Sequence, residues 1–314
     1  MRQVKFYIAI VAVMSLIFSA TKAQAKSALE AHIDGAVLYG FENNVNLDPT
    51  RKGDNFVKGN IVATLKYPIA EKVKLKGGFE FIDTTYWRYT DYSTMDAIFH
   101  GGAETQITEK LLLTNHYDFE ILRYPRNERF NYLTHTLGSK LKYFFNKNIY
   151  YSFGYEFLYK DYDKLTTYLS SGLSSDKRRN DYRNVLKEEL GLQAFGALFR
   201  LRDEYYFNKS NDKYMDYYNY SVYKISASAY RPIINKLSAM CGAAYQWRWY
   251  DNRRISIGEK KERDRSFTTN GALIYEINKY LSWMANYAYV QNYSNDPIQR
   301  YSESIMTSGI FFSF

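Results

Sequence analysis

His100 and His116, followed by Glu104, Asp118 and Glu120, are the residues of this 314-residue chain whose types and spacing come nearest to a chemical site. Imidazole beside carboxylate can relay a proton or contribute to a metal site. Of the other two histidines, His32 is read as preceding the first strand, and His135 lies in Leu133-Thr134-His135-Thr136. No Gly-rich phosphate loop, Cys/His metal spacing, nucleophile elbow or paired-carboxylate motif accompanies them. Cys241 is the single cysteine, so no disulfide within the chain is expected. These residues therefore define no catalytic, cofactor-binding or metal-binding set, and they imply no cofactor. A mixed array of histidine, acid and base is instead the ordinary lining of a wet channel wall.

The elements that carry these side chains are short alternating segments, and from Leu29 onward the chain repeats one such unit. Fourteen are counted: Ala31–Glu42, Phe56–Tyr67, Val73–Tyr86, Thr94–Ile107, Leu111–Tyr124, Tyr132–Tyr143, Ile149–Tyr162, Tyr182–Ala194, Leu198–Asn208, Tyr217–Arg231, Leu237–Asp251, Arg265–Glu276, Leu281–Tyr293 and Gln299–Phe314. Side chains two apart share a face of a strand. In the seventh segment Ile149, Tyr151, Phe153, Tyr155, Phe157 and Tyr159 fall on one face, with Ser152, Gly154, Glu156 and Lys160 on the other. The fifth sets Leu113, Tyr117, Phe119 and Ile121 against Thr114, His116, Asp118 and Glu120. One face suits lipid and the other suits water.

The polar face collects Lys58, Lys66, Lys74, Lys76, Lys140, Lys142, Lys187, Arg200, Arg202 and Arg248, offset by Glu80, Glu104, Asp118, Glu120, Glu156, Glu189 and Glu204, with His100 and His116 among them. His135 has the opposite parity and points to the lipid side. The breaks alternate between tight turns, such as Thr108–Lys110 and Phe195–Ala197, and longer polar stretches. Asp163–Asp181, with Lys177-Arg178-Arg179, reads as the largest loop. Trp247-Arg248-Trp249-Tyr250 reads as an interfacial aromatic girdle. Together these patterns predict an all-β, antiparallel up-and-down transmembrane barrel of about fourteen strands.

Composition and the N-terminal residues agree with that prediction. Arg2 and Lys5, an apolar run from Phe6 to Ser19, and Ala23-Gln24-Ala25 read as a cleaved export signal over residues 1–25, with a barrel over 26–314. No later run is long and apolar enough for a membrane-spanning helix. The chain is polar overall, with mean hydropathy −0.47, yet 18% aromatic, as expected of a wall apolar on one face only. Net charge is +9, or +6 once Arg2, Lys5 and Lys22 are removed with the leader. The excess is spread along the chain without a basic cluster, which argues against nucleic acid as a partner.

The last segment places Met306, Ile310, Phe312 and Phe314 on one face and ends on phenylalanine. It resembles the C-terminal assembly signal of bacterial outer-membrane proteins, which implies recognition by the barrel-assembly machinery and residence among outer-membrane lipid and lipopolysaccharide. The closing hairpin, Tyr287-Ala288-Tyr289-Val290-Gln291-Asn292-Tyr293 through Tyr301 to Phe314, is similar to those of exopolysaccharide-export barrels and surface-lipoprotein assembly modulators. That resemblance covers only about the last fifty residues. The expected function is a channel or export conduit for a polar solute, with a saccharide or polysaccharide as candidate cargo. One alternative is a structural or secretion-partner barrel that captures surface molecules through its loops. The other is an outer-membrane lipase or protease built on His135 and His100; for His135 the sequence offers no matching Asn-x-Ser partner.

Overall fold

A computed structural model describes residues 29–214 and 216–314, so the proposed export signal lies outside the described residues. Fourteen strands run in chain order: β1 (Glu30–Glu42), β2 (Asp54–Ala70), β3 (Val73–Tyr86), β4 (Thr94–Thr108), β5 (Leu111–Arg123), β6 (Tyr132–Asn146), β7 (Ile149–Tyr168), β8 (Ser174–Ala194), β9 (Ala197–Ser210), β10 (Tyr220–Ile234), β11 (Leu237–Arg254), β12 (Lys261–Glu276), β13 (Leu281–Ser294) and β14 (Tyr301–Ser313). Each pairs antiparallel with its chain neighbours, and β1 pairs with β14 to close the barrel. Closure matters because an open terminal strand would present unpaired backbone groups to lipid. No helix among the described residues is long and apolar enough to cross a membrane.

The seam shows how the residues enforce closure. Val37 faces Ile310 and Gly35 faces Phe312 across it. The Ile33 N–H donates to the Phe314 carbonyl at 3.0 Å, and the Phe314 N–H donates back to Ile33 at 2.8 Å. The Phe312 ring lies directly over Gly35, filling the space a side chain would need. At Gly309 a β-carbon would stand 2.0 Å from the Val37 carbonyl oxygen, so the two backbones meet only because that residue has none.

Five two-residue turns and the four-residue link Ile277–Tyr280 close one end of the barrel, while longer links close the other, among them Asn43–Gly53, Tyr124–Asn131 and Asn211–Asn219. Short 3-10 turns at Thr90–Tyr92, Glu128–Phe130 and Pro297–Gln299 rest on β3, β7 and β13. The expected loop Asp163–Asp181 requires correction. β7 continues to Tyr168 and β8 begins at Ser174, with Thr166 paired to Arg178 and Tyr168 to Ser174. Beyond the lipid both faces of a strand are polar, so this extension lacks the alternation that marks a wall strand. Likewise β10 begins at Tyr220, and Gln299 ends a 3-10 turn ahead of β14. His32 lies inside β1 rather than before it, with Nε2 3.1 Å from Asp34.

Candidate functional site

Exposure and register identify the two sides of the wall. Val37, Leu65, Phe99, Leu137, Phe153, Leu186, Leu201 and Met306 are exposed and share the outward parity of their strands. The opposite parity carries Lys74, Lys76, Glu80, His100, Glu104, His116, Asp118, Glu120, Glu156, Lys187, Glu189, Arg200, Arg202, Glu204 and Arg248 toward the lumen. Lys58, Lys66, Lys140 and Lys142 share that side. Met306, Ile310 and Phe312 face outward along the seam.

Many of the lumen charges contact their neighbours along the wall, the longest series running from Glu80 through His100, Asp118, His116 and Glu156 to Lys187. Lys76 Nζ meets Glu104 at 2.5 Å. His100 Nδ1 lies 2.9 Å from Asp118, and its Nε2 is 3.9 Å from Glu80. His116 Nε2 stands 3.8 Å from both Asp118 and Glu156. Lys187 then meets Glu156 at 2.6 Å, and Arg202 pairs with Glu189, which also accepts from the Tyr150 hydroxyl at 2.5 Å. The His116–Glu156 contact reaches over β6 at Gly138, where a β-carbon would lie 2.2 Å from the imidazole. A cavity of about 390 Å³ opens beside this network, lined by His116, Lys140, Glu156, Lys187, Arg202 and Lys224. Among the described residues no group of three or more His, Cys, Asp or Glu is arranged to hold a metal ion.

Nearer the turn end, Lys66, Lys140, Lys142 and Arg200 make no ion pair with any described residue. Lys142 instead sits 3.7 Å from the centre of the Tyr150 ring. The loop-end half contains a second group that the alternating pattern left unremarked. Arg179 pairs with Asp181 at 2.6 Å and stacks on Tyr218 at 3.3 Å, while Arg253 pairs with Glu262 at 2.7 Å. Tyr86 donates to Glu42 on the far side of the lumen. Arg183 and Tyr206 could have been assigned to the lumen from their parity with Lys187 and Glu204. Arg179 could not, since its segment reads as loop.

The outward face carries the rest. His135 makes no hydrogen bond with a serine among the described residues; its Nδ1 lies 2.6 Å from the Tyr117 hydroxyl, with Phe119 and Tyr159 around it. His100 and His135 stand on opposite sides of the wall, so they cannot form one site. Trp247 and Trp249 point outward and Arg248 and Tyr250 inward, which separates the girdle residues from the lumen ones. Glu188 and Asp203 are cross-strand partners on the outward face, where Asp203 accepts from Tyr223 at 2.6 Å.

Buried polar side chains pin the loops at the lumen mouth. Asn44, fully buried, donates to the Ser302 carbonyl at 2.9 Å. Asp54 accepts from the Arg88 and Tyr89 N–H groups at 2.7 and 2.8 Å. Asp296 accepts from Ser256 N–H at 2.8 Å, Ser256 Oγ at 2.6 Å and Ile298 N–H at 3.3 Å. Burial alone would raise the Asp296 pKa, but the Ser256 and Ile298 donors, with Arg253 nearby, hold it below the ordinary carboxylate value of 3.8.

No protein-family model matches the chain. No curated protein matches it either. Among solved structures, OmpT, an outer membrane protein of Vibrio cholerae, superimposes with a TM-score of 0.57 at 8% identity, over 92% of this chain and 100% of that one. An anion-selective porin from Comamonas acidovorans gives 0.50 at 10% identity, over 92% and 100%. At such identities the likeness is one of fold. Taken with the closed wall, the outward apolar belt and the charged interior, it leads to one assignment: the chain is a fourteen-stranded antiparallel β-barrel of the bacterial outer membrane.

Proposed function

We propose that the barrel is a water-filled channel for small polar solutes. The observation that carries this reading is the direction of the ion pairs. In the middle of the barrel they run along the wall, from β3 to β4, β4 to β5, β5 to β7, β7 to β8 and β8 to β9, and leave the bore unbridged. A plug would need charges paired across the lumen or an apolar core within it. The buried apolar cluster among the described residues is small, Val185, Tyr206 and Val222, and belongs to the wall near the loop end. Side chains of the mid-barrel network remain accessible, Arg202 at 54% and Lys187 at 43%, as water in the lumen requires.

Neutral sugars are a fitting cargo class for such a bore, because hydroxyls exchange readily with a hydrogen-bonding wall. Purified barrel in planar bilayers should give discrete conductance steps in KCl, and proteoliposomes should swell in small neutral sugars. Folded protein that inserts but gives neither steps nor swelling would refute the channel reading.

A further inference from the structure

In the loop-end half of the lumen several cations form no ion pair with any described residue, and three of them rest on tyrosines. The buried ion pairs on this side, among the described residues, are Arg179–Asp181 and Arg253–Glu262. Lys160, Arg183 and Arg248 form none with the described residues. Tyrosines hold them instead. Arg183 donates from Nη2 to the Tyr220 hydroxyl at 3.0 Å and lies 4.6 Å from the centre of the Tyr206 ring. Arg248 lies 5.2 Å from the centre of that same Tyr220 ring and donates to the Tyr250 hydroxyl at 3.2 Å. Lys160 sits 3.6 Å from the centre of the Tyr132 ring.

Register makes these neighbours. Arg183, Asn208, Tyr220 and Tyr250 form one cross-strand row over β8 to β11, and Tyr206, Val222 and Arg248 form the next. Tyr220 is therefore shared by two guanidinium groups. The ε nitrogens of Arg183 and Arg248 are buried and have no acceptor. Of the nearby acids, Asp181 is held by Arg179 and Glu120 accepts from Tyr132, while Asp264, opposite Arg248 in register, has a buried Oδ1 without a hydrogen-bond partner and makes no ion pair with Arg248.

A tyrosine face holds a cation only weakly and takes away none of its charge. Stacking fixes each guanidinium in place and leaves its remaining N–H donors without a fixed anion. Two such forks aimed from adjacent rows suit an oxyanion, whose planar or tetrahedral oxygens accept paired hydrogen bonds. We propose that Arg183 and Arg248, bracketing Tyr220 and supported by Lys160, form an oxyanion-binding site for carboxylate- or phosphate-bearing small solutes in the loop-end lumen. The channel reading explains how such a solute reaches the site. Binding itself is independent of conduction.

The test is calorimetric titration of the detergent-purified, folded barrel with glucuronate, with inorganic phosphate and with glucose. Glucuronate or phosphate should bind, glucose should bind at least about tenfold more weakly, and added KCl should weaken the anion. Arg183→Gln with Arg248→Gln should lower anion affinity by about tenfold or more, and Arg248→Lys by less, since it keeps the charge and loses the fork. Heat-modifiable gel migration reports folding. If the double variant does not fold, Arg248→Lys and the salt series on the unaltered barrel still decide. Equal affinity for glucose and glucuronate, no binding of either anion, or a folded double variant that binds like the unaltered barrel would overturn the site. A barrel that binds glucuronate but passes no current refutes the channel and keeps the site; the reverse pattern does the opposite.

Discussion

Asp296 offers the most direct test of whether the lumen mouth is held rigid by its buried polar residues. Its carboxylate, only 2% exposed, joins the β13–β14 link to Ser256 in the β11–β12 link through the Ser256 N–H and hydroxyl, and it caps the next turn through Ile298. Asp296→Ala removes all three acceptor contacts. A hydrogen bond to a charged group contributes about 1.5–3 kcal/mol, but freed N–H groups at a rim recover water, so a total loss of about 2–3 kcal/mol is expected. At about 1.4 kcal/mol per tenfold, local opening should rise about 30- to 150-fold. Arg254, Lys260 and Lys261 flank Ser256 and make the opening visible to trypsin, whose cleavage follows the open population when reclosing is fast. The sign with pH follows from the depressed pKa. The pin contributes fully above the ordinary Asp value of 3.8 and is lost as pH falls through the lower, folded value. Local opening in the unaltered protein should therefore be unchanged between pH 7 and pH 5, read as cleavage relative to an unfolded control substrate that corrects for trypsin's own loss of activity at low pH. If Asp296→Ala is cut at the unaltered rate while folded, the carboxylate does not hold the mouth and the reasoning fails.

Three other perturbations probe the wall. Lys140→Glu with Lys142→Glu replaces two unpaired cations near the turn end, and the zero-current potential in a KCl gradient should shift toward cations; an unmoved potential would place both side chains out of the conducting path. Gly309→Ala sets a β-carbon against the Val37 carbonyl and should lower seam stability by about 1–3 kcal/mol, read as a lower unfolding temperature on gels, whereas Gly101→Ala, with open space around it, should be neutral. Asp203→Leu removes a carboxylate midway along the outward face of β9 and should stabilise the barrel in lipid by about 1 kcal/mol or more in denaturant titrations. A loss of stability there would show that something other than lipid covers the acid.

What the sequence made legible was the part of the chain under two-sided constraint. β3 was bounded to the residue as Val73–Tyr86 because lipid on one side and water on the other force a period of two through Leu75, Phe79 and Glu80. The lumen charges follow from the same parity. Where both sides are wet, that constraint ends. Asp163–Asp181 reads as loop because its Lys, Arg and Asp residues carry no apolar partner pattern, although the backbone still pairs there and Arg179 packs on Tyr218. The Tyr220 cluster and the Asp296 pin were illegible for another reason. Each depends on residues from several strands or links whose proximity comes from register, and no local spacing encodes it.

The lumen wall is also uneven around its circumference, and this bears on what its charges do. The ion-pair network occupies β3 to β9, whereas the mid-barrel inward positions of β11 to β14 are mostly small or uncharged: Gly242, Ala244, Asn270, Ala272, Met284, Ala288 and Gly309. Charges that face an uncharged wall cannot be neutralised from across the bore, so they must pair sideways or remain free. Sideways pairing needs adjacent strands in register, which Lys187–Glu156 and Arg202–Glu189 have, or a gap in the strand between, which Gly138 supplies for His116 and Glu156. Lys140, Lys142 and Arg183 have no such carboxylate opposite them, and Arg248 makes no ion pair with the Asp264 that faces it, so these cations rest beside rings or the open lumen instead. The geometry that keeps the bore open is thus the same one that leaves fixed positive charge in its wall, and a polar solute passing through would meet that charge from one side only.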